Sequence, residues 1–328
     1  MSRRRRASLI PDKMTLGEAE ELRRTDDDLN FRQSILSEGE FMGIVLPDRE
    51  WILKDLIVEE SMTIVNGHRG GGKSWFAMAL ANAVTWGESM GPWTAPKARD
   101  VLLIDGEMPL SILQERFREL NEGRDIGKKG GKLWIYPEAY AYRIGLKRAN
   151  ILDVTWRSRV RDYVKDLGVQ VMILDNLSSL APGIDENDKT PFDPVNRWLL
   201  ELRFNGVTII MTHHTGKSGD QRGTSAHEDH VDTALMLERP GGMGADTGCA
   251  FMVWASKDRA FIMQGQKFTI RLDKVDKGMK FVEMASSTRN RAAQLIGEGA
   301  GWGEAKKMGI SSRTFYRAKR EAEEGEPN

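Results

Sequence analysis

The chain has 328 residues, 40% hydrophobic and 29% charged, with 48 Lys plus Arg against 48 Asp plus Glu and a formal net charge of +0. That length and apolar content suffice for one large α/β domain with appendages, and the neutral balance gives no global field for a polyanion, so such affinity must come from local patches. The one cysteine, Cys249, excludes an internal disulfide framework and fits a reducing cytoplasm; no window is apolar enough to span a bilayer, and no export segment follows the Arg3 to Arg6 cluster.

Residues 1–44 mix that arginine cluster with Asp26-Asp27-Asp28 and scattered apolar positions, the pattern of a partly helical arm. From Trp51 onward, strand-like runs at 63–66, 101–105, 133–136, 169–175, 207–212 and 233–237 alternate with helix-length segments. This alternation predicts an α/β fold with a mostly parallel sheet flanked by helices. Runs at 251–256, 267–273 and 279–284 predict antiparallel additions at one end of the sheet. Two long loops, 182–191 and 215–225, each follow a predicted strand directly, where ligands bind in open α/β sheets.

The run Gly67-His68-Arg69-Gly70-Gly71-Gly72-Lys73-Ser74 fits GxxxxGK[ST] at every fixed position, with a short apolar strand before it and a helical segment after it. Strand, glycine turn and helix make an anion trap: the backbone N–H groups of Gly67, Gly70, Gly71 and Gly72 close around the α- and β-phosphates of ATP, Lys73 reaches the β- and γ-phosphates, and the Ser74 hydroxyl ligates Mg²⁺. The apolar run 171–174 ends in Asp175, which has the form of a Walker B strand and would hold Mg²⁺ through its water shell opposite Ser74. Asp175 is followed by Asn176, so no second carboxylate is adjacent to polarise water. Glu107 supplies one, just beyond the strand ending at Asp105, where a base facing the γ-phosphate belongs. Asp105 itself reads as that base's neighbour or as a strand-end cap. The run 209–212 ends in His213 and His214; one can sense the γ-phosphate while the other packs inside, because successive side chains on a strand face opposite ways.

Leu103-Ile104-Asp105-Gly106-Glu107-Met108, Ile173-Leu174-Asp175-Asn176 and Thr212-His213-His214-Thr215-Gly216-Lys217, together with the phosphate loop, resemble the RecA-like ring ATPases of the plasmid RepA and DnaB replicative helicase type over roughly residues 45–285. The resemblance implies a RecA-like P-loop NTPase domain in which Ala255-Ser256-Lys257-Asp258-Arg259 is a Lys-x-Arg finger. Arg259, assisted by Lys257, would reach the nucleotide of a neighbouring subunit, and His214 would take the place of the polar sensor, with His213 as understudy. A finger given in trans implies a head-to-tail homo-oligomer that closes into a ring, commonly a hexamer in that family. Single-stranded DNA would pass through the ring against Lys217 and Arg222, and the acidic loop with Asp185, Glu186 and Asp188 is a poor phosphate binder. The sequence has no room for the DnaB collar, so primase recruitment through it does not carry over; a primase or an initiator stands as a conceivable partner.

Residues 302–320 read as a helix, a glycine turn and a second helix capped by Ser311, a helix-turn-helix-like extension over 286–328. Ser312, Arg313, Tyr316, Arg317 and Arg320 would face duplex DNA while Ile310 and Phe315 pack inward. The expectation is therefore an arm at 1–44, an ATPase domain at 45–285 and this extension, forming a cytoplasmic Mg²⁺-dependent ATPase that unwinds or translocates DNA in replication of a plasmid or phage. The alternatives are an ATP-switched DNA-binding initiator or regulator without unwinding activity and a small-molecule phosphotransferase; the Lys257 and Arg259 pair argues against the second.

Overall fold

Residues 31–182, 192–215, 230–240, 249–260, 262–263, 265–284, 295–296, 301–307 and 310–324 are described by the computed structural model. The chain divides into two units, Met1–Glu50 and Trp51–Asn328. In the first, helix α1 (Glu38–Met42) opens on a reciprocal cap: the Glu40 N–H donates to Ser37 Oγ at 3.3 Å, and the Ser37 N–H donates to the Glu40 carboxylate at 2.8 Å.

The second unit runs β1 (Trp51–Leu53), β2 (Ile57–Val58), β3 (Met62–Gly67), α2 (Lys73–Trp86), β4 (Ser89–Met90), β5 (Trp93–Thr94), β6 (Val101–Asp105), α3 (Leu110–Leu120), β7 (Leu133–Pro137), α4 (Glu138–Arg143), α5 (Val154–Asp166), β8 (Val171–Asp175), α6 (Leu177–Leu180), α7 (Asp193–Phe204) and β9 (Thr208–His214). It continues with β10 (Thr233–Glu238), β11 (Ala250–Asp258), β12 (Lys267–Lys274), β13 (Met279–Met284), α8 (Trp302–Lys307) and α9 (Ser312–Glu324). The main sheet is 9-stranded in the order β13-β12-β11-β10-β3-β9-β8-β6-β7. Strands β10 through β7 in that order are mutually parallel, and β11, β12 and β13 are antiparallel additions beside β10. This is the RecA-like P-loop NTPase architecture that the motifs imply.

Period-two alternation assigns the faces. Val65, Leu103, Ile173 and Ile210 join Phe76, Leu80 and Val84 of α2 in one core, while Ile64, Leu102, Leu174 and Met211 join Trp156 of α5 and Trp198 and Leu199 of α7 in the other. With helices on both faces, β3, β6 and β8 are buried at every position and read as unbroken apolar runs instead of polar alternation. Burying each large side chain contributes about 1.5–3 kcal/mol. The central helix α2 is buried from Phe76 through Thr85, consistent with its apolar, alanine-rich sequence, and Gly87 at φ 68° ends it. Among the described residues no helix is long and apolar enough to cross a membrane.

Helices α8 and α9 close a small core of their own around Ala305, Ile310, Phe315 and Ala318, with Trp302 stacked at 5.9 Å from Phe315. Ser311 Oγ accepts from the Thr314 N–H at 3.2 Å and starts α9.

Candidate active site

The parallel register brings the carboxyl ends of β3, β6, β8 and β9 to one edge, and the loops that leave them wall a cavity of about 670 Å³. Gly70, Gly71, Gly72, Lys73, Ser74 and Glu107 line it, with Asp175 and His214 opposite. Strand β3 lies between β9 and β10, so the phosphate loop springs from the interior of the sheet. Gly72 has φ 94°, and a Cβ there would stand 2.7 Å from Cys249 Sγ, so both backbone conformation and space demand glycine. The loop delivers the N-terminus of α2, with its unpaired N–H groups, to the cavity.

Lys73 is 5% exposed, and its ammonium donates to the carbonyls of Gly67 and His68, each at 2.8 Å. Burial pulls its pKa down to about 8, against the opposing pull of Asp175 and Glu107. Asp175, 2% exposed, accepts a hydrogen bond from Thr212 Oγ1 at 2.5 Å and another from the Ser74 hydroxyl. Burial pushes its carboxyl above the ordinary range, and those two donors oppose the rise. One hydroxyl and one carboxylate beside open space are a donor set of hard oxygens, which fits a Mg²⁺ that keeps waters and shares phosphate oxygens.

Glu107 is exposed to the cavity. The turn that carries it is pinned twice: the Met108 N–H donates to Asp105 Oδ2 at 3.0 Å and the Gly106 N–H to the Asp175 carbonyl at 2.8 Å. Asp105 is thus the cap of this turn, and burial, reinforced by Asp175, pushes its pKa up to about 7. His214 lines the cavity half-buried, its pKa drawn down to about 4 by burial and then by Lys73, so the imidazole is neutral. His213 is 2% exposed and does not line the cavity, as alternation along β9 requires.

Lys257 lies on β11 opposite Ala234, and Arg259 follows the strand, its N–H donating to the Asp232 carbonyl at 3.0 Å. Neither lines the cavity of its own chain. Lys217 and Arg222, with the acidic residues Asp185, Glu186 and Asp188, lie outside the described residues. Ser312, Arg313, Tyr316, Arg317 and Arg320 are exposed along α9, while Ile310 and Phe315 are buried.

Some cavity residues escaped the motif reading. Trp75 and Arg116 stack at 4.9 Å on one wall, and Arg239 and Cys249 stand on the other; burial pushes the Cys249 thiol up to about 12, which makes it inert as a nucleophile. Trp75 follows the phosphate loop directly, the one signal available for it. Thr212 was also missed, although its parity with His214 on β9 places both on one face.

The sequence matches the family described as AAA domain over residues 25–220, more than half of the chain. No protein of curated function matches it. Among solved structures the chain is similar to a KaiC-like protein from Pyrococcus horikoshii, with 16% identity and a TM-score of 0.47 over 70% of this chain and 91% of that one. It is similar to the flagellar accessory protein FlaH from Methanocaldococcus jannaschii, with 16% identity and a TM-score of 0.46 over 70% and 91%. It is also similar to an ATPase domain solved by itself, with 15% identity and a TM-score of 0.48 over 69% and 85%. Likeness at these values says nothing of activity.

Proposed function

We propose that this chain, which belongs to the AAA domain family, is a Mg²⁺-dependent ATPase that assembles head to tail and couples hydrolysis to unwinding or translocation of DNA, in replication of a plasmid or phage. The observation that carries the reading is the convergence of Lys73, Ser74, Glu107, Asp175 and His214 on one cavity that Lys257 and Arg259 do not reach. In the reaction a water oxygen attacks the γ-phosphorus, its proton passes to Glu107, and the bond to the β–γ bridging oxygen breaks to leave ADP. Lys73 leaves its loop carbonyls for the phosphates and spreads the charge of the transition state, and neutral His214 donates to a γ-phosphate oxygen. Ser74 and Asp175 would hold Mg²⁺, which supplies charge neutralisation between the β- and γ-phosphates. Arg259 of a neighbouring copy, with Lys257, completes the site.

The ATPase rate with and without single-stranded DNA, read beside the mass of the assembly, tests this. Stimulated turnover by a multimer supports it; brisk turnover by a monomer removes the finger in trans. A second reading, an ATP-switched DNA-binding initiator, is favoured by the cationic exposed face of α9. A tailed duplex separates the two: strand separation supports the motor, and ATP-dependent binding without separation supports the switch.

A further inference from the structure

Strands β8 and β9 pair in parallel with Leu174 beside Met211, so the next residues, Asp175 and Thr212, stand side by side at the carboxyl end of the sheet. Thr212 is 0% exposed and Asp175 2%, and the hydroxyl meets Oδ1 at 2.5 Å, the short distance of a hydrogen bond to a carboxylate. The terminal torsion of an aspartate is broad, so its carboxylate takes its direction from what surrounds it. Here that is Thr212 from β9 and the Ser74 hydroxyl from α2. On the other flank Asp105, paired with Asp175 in register, spends its Oδ2 on the Met108 N–H.

We propose that Thr212 is a positioning residue of the metal site, its hydroxyl fixing the Asp175 carboxylate in the orientation that faces Ser74 and the incoming cation. The inference rests on the reading of Ser74 and Asp175 as the magnesium-holding pair. Thr212 touches neither nucleotide nor cation; it acts through Asp175, as outer partners of metal ligands do.

The test uses the full chain, ADP and Mn²⁺, with bound Mn²⁺ read by electron paramagnetic resonance and ADP binding measured separately in EDTA. Thr212→Val keeps the shape and removes the donor, so Mn²⁺ affinity in the presence of ADP should fall about tenfold or more, while ADP binding in EDTA stays unchanged and Thr212→Ser restores the cation. A hydroxyl that merely satisfies packing would leave the Mn²⁺ titration of the valine variant at the parental value, and that result overturns the proposal. So does a serine variant that binds ADP but is as weak toward Mn²⁺ as the valine one. Should the valine variant fail to fold, Thr212→Ala replaces it with the same two outcomes. A parental chain that binds no Mn²⁺ with ADP removes the magnesium reading and this proposal together, whereas parental binding matched by the valine variant removes this proposal alone.

Discussion

Replacing Gly106 with alanine should stop turnover without releasing nucleotide. A Cβ at Gly106 would lie 2.5 Å from Ser179 Oγ and 2.8 Å from Leu180 Cδ2, and ordinary contact begins at 3.4 Å, so the turn is short of room by 3.4 − 2.5 = 0.9 Å. Ser179 cannot swing aside cheaply, because its hydroxyl donates to the Asn176 carbonyl at 2.9 Å and its N–H donates to Asn176 Oδ1 at 3.0 Å. Leu180 is 0% exposed and has nowhere to go. The turn between Asp105 and Met108 must therefore move by nearly the whole deficit, carrying Glu107 with it. Overpacking of this kind costs about 1–3 kcal/mol, and a base displaced by about 1 Å loses on the order of 100-fold in rate. The assays are chemical denaturation, nucleotide affinity and single-turnover hydrolysis of Gly106→Ala. Affinity should hold, because the phosphate loop is untouched, while kcat falls. Parental stability together with parental kcat would refute the reasoning from space.

Three further outcomes are expected. Burial pushes Asp105 up to about 7 from an unfolded value near 3.9, so the folded chain holds that proton more tightly; the stability it contributes is full below about pH 4 and is lost as pH rises through about 7. Asp105→Asn keeps an acceptor for the Met108 N–H without the charge and should be more stable than the parent at pH 8 by on the order of 2 kcal/mol, with a flatter melting profile between pH 4 and 7; an unchanged profile counts against it. Arg259→Ala should lose about 10³-fold or more in kcat while binding nucleotide normally, and mixing it with a Lys73→Ala chain should restore part of the rate; full activity of the single variant defeats the finger. Phe315→Ala empties the small core shared by α8 and α9, 4% exposed at that ring, at a cost of about 3–5 kcal/mol, so the pair should melt and duplex binding vanish while basal hydrolysis persists; retained duplex binding contradicts that role for α9.

The strands were legible because β3, β6 and β8 are continuous apolar runs and each run ends in the residue that chemistry needs. The phosphate loop was legible for the same local reason: glycine spacing and Lys73-Ser74 are contiguous in the chain. Thr212 and Gly106 were not, since their meaning comes from neighbours that sequence separates widely. Thr212 matters because β9 lies beside β8 in the sheet, and Gly106 because α6 crosses above it. Strand order and close approach are properties of the assembled sheet. Trp75 and Arg116 fell in the same gap, two half-buried side chains from different helices whose contact no periodicity announces.

Strand β10 lies hydrogen-bonded between β3, which launches the phosphate loop, and β11, which carries Lys257 toward Arg259. Neighbouring strands stand about 4.8 Å apart and are stiff across the ladder, so loop and finger of one polypeptide are fastened to a common crossbar about 10 Å wide. In a head-to-tail assembly of the kind proposed, any tilt that nucleotide imposes on β3 is handed sideways to the finger, which belongs to the next site around. Occupancy at one position then becomes a mechanical message to its neighbour, and sequential firing needs no relay beyond three adjacent strands.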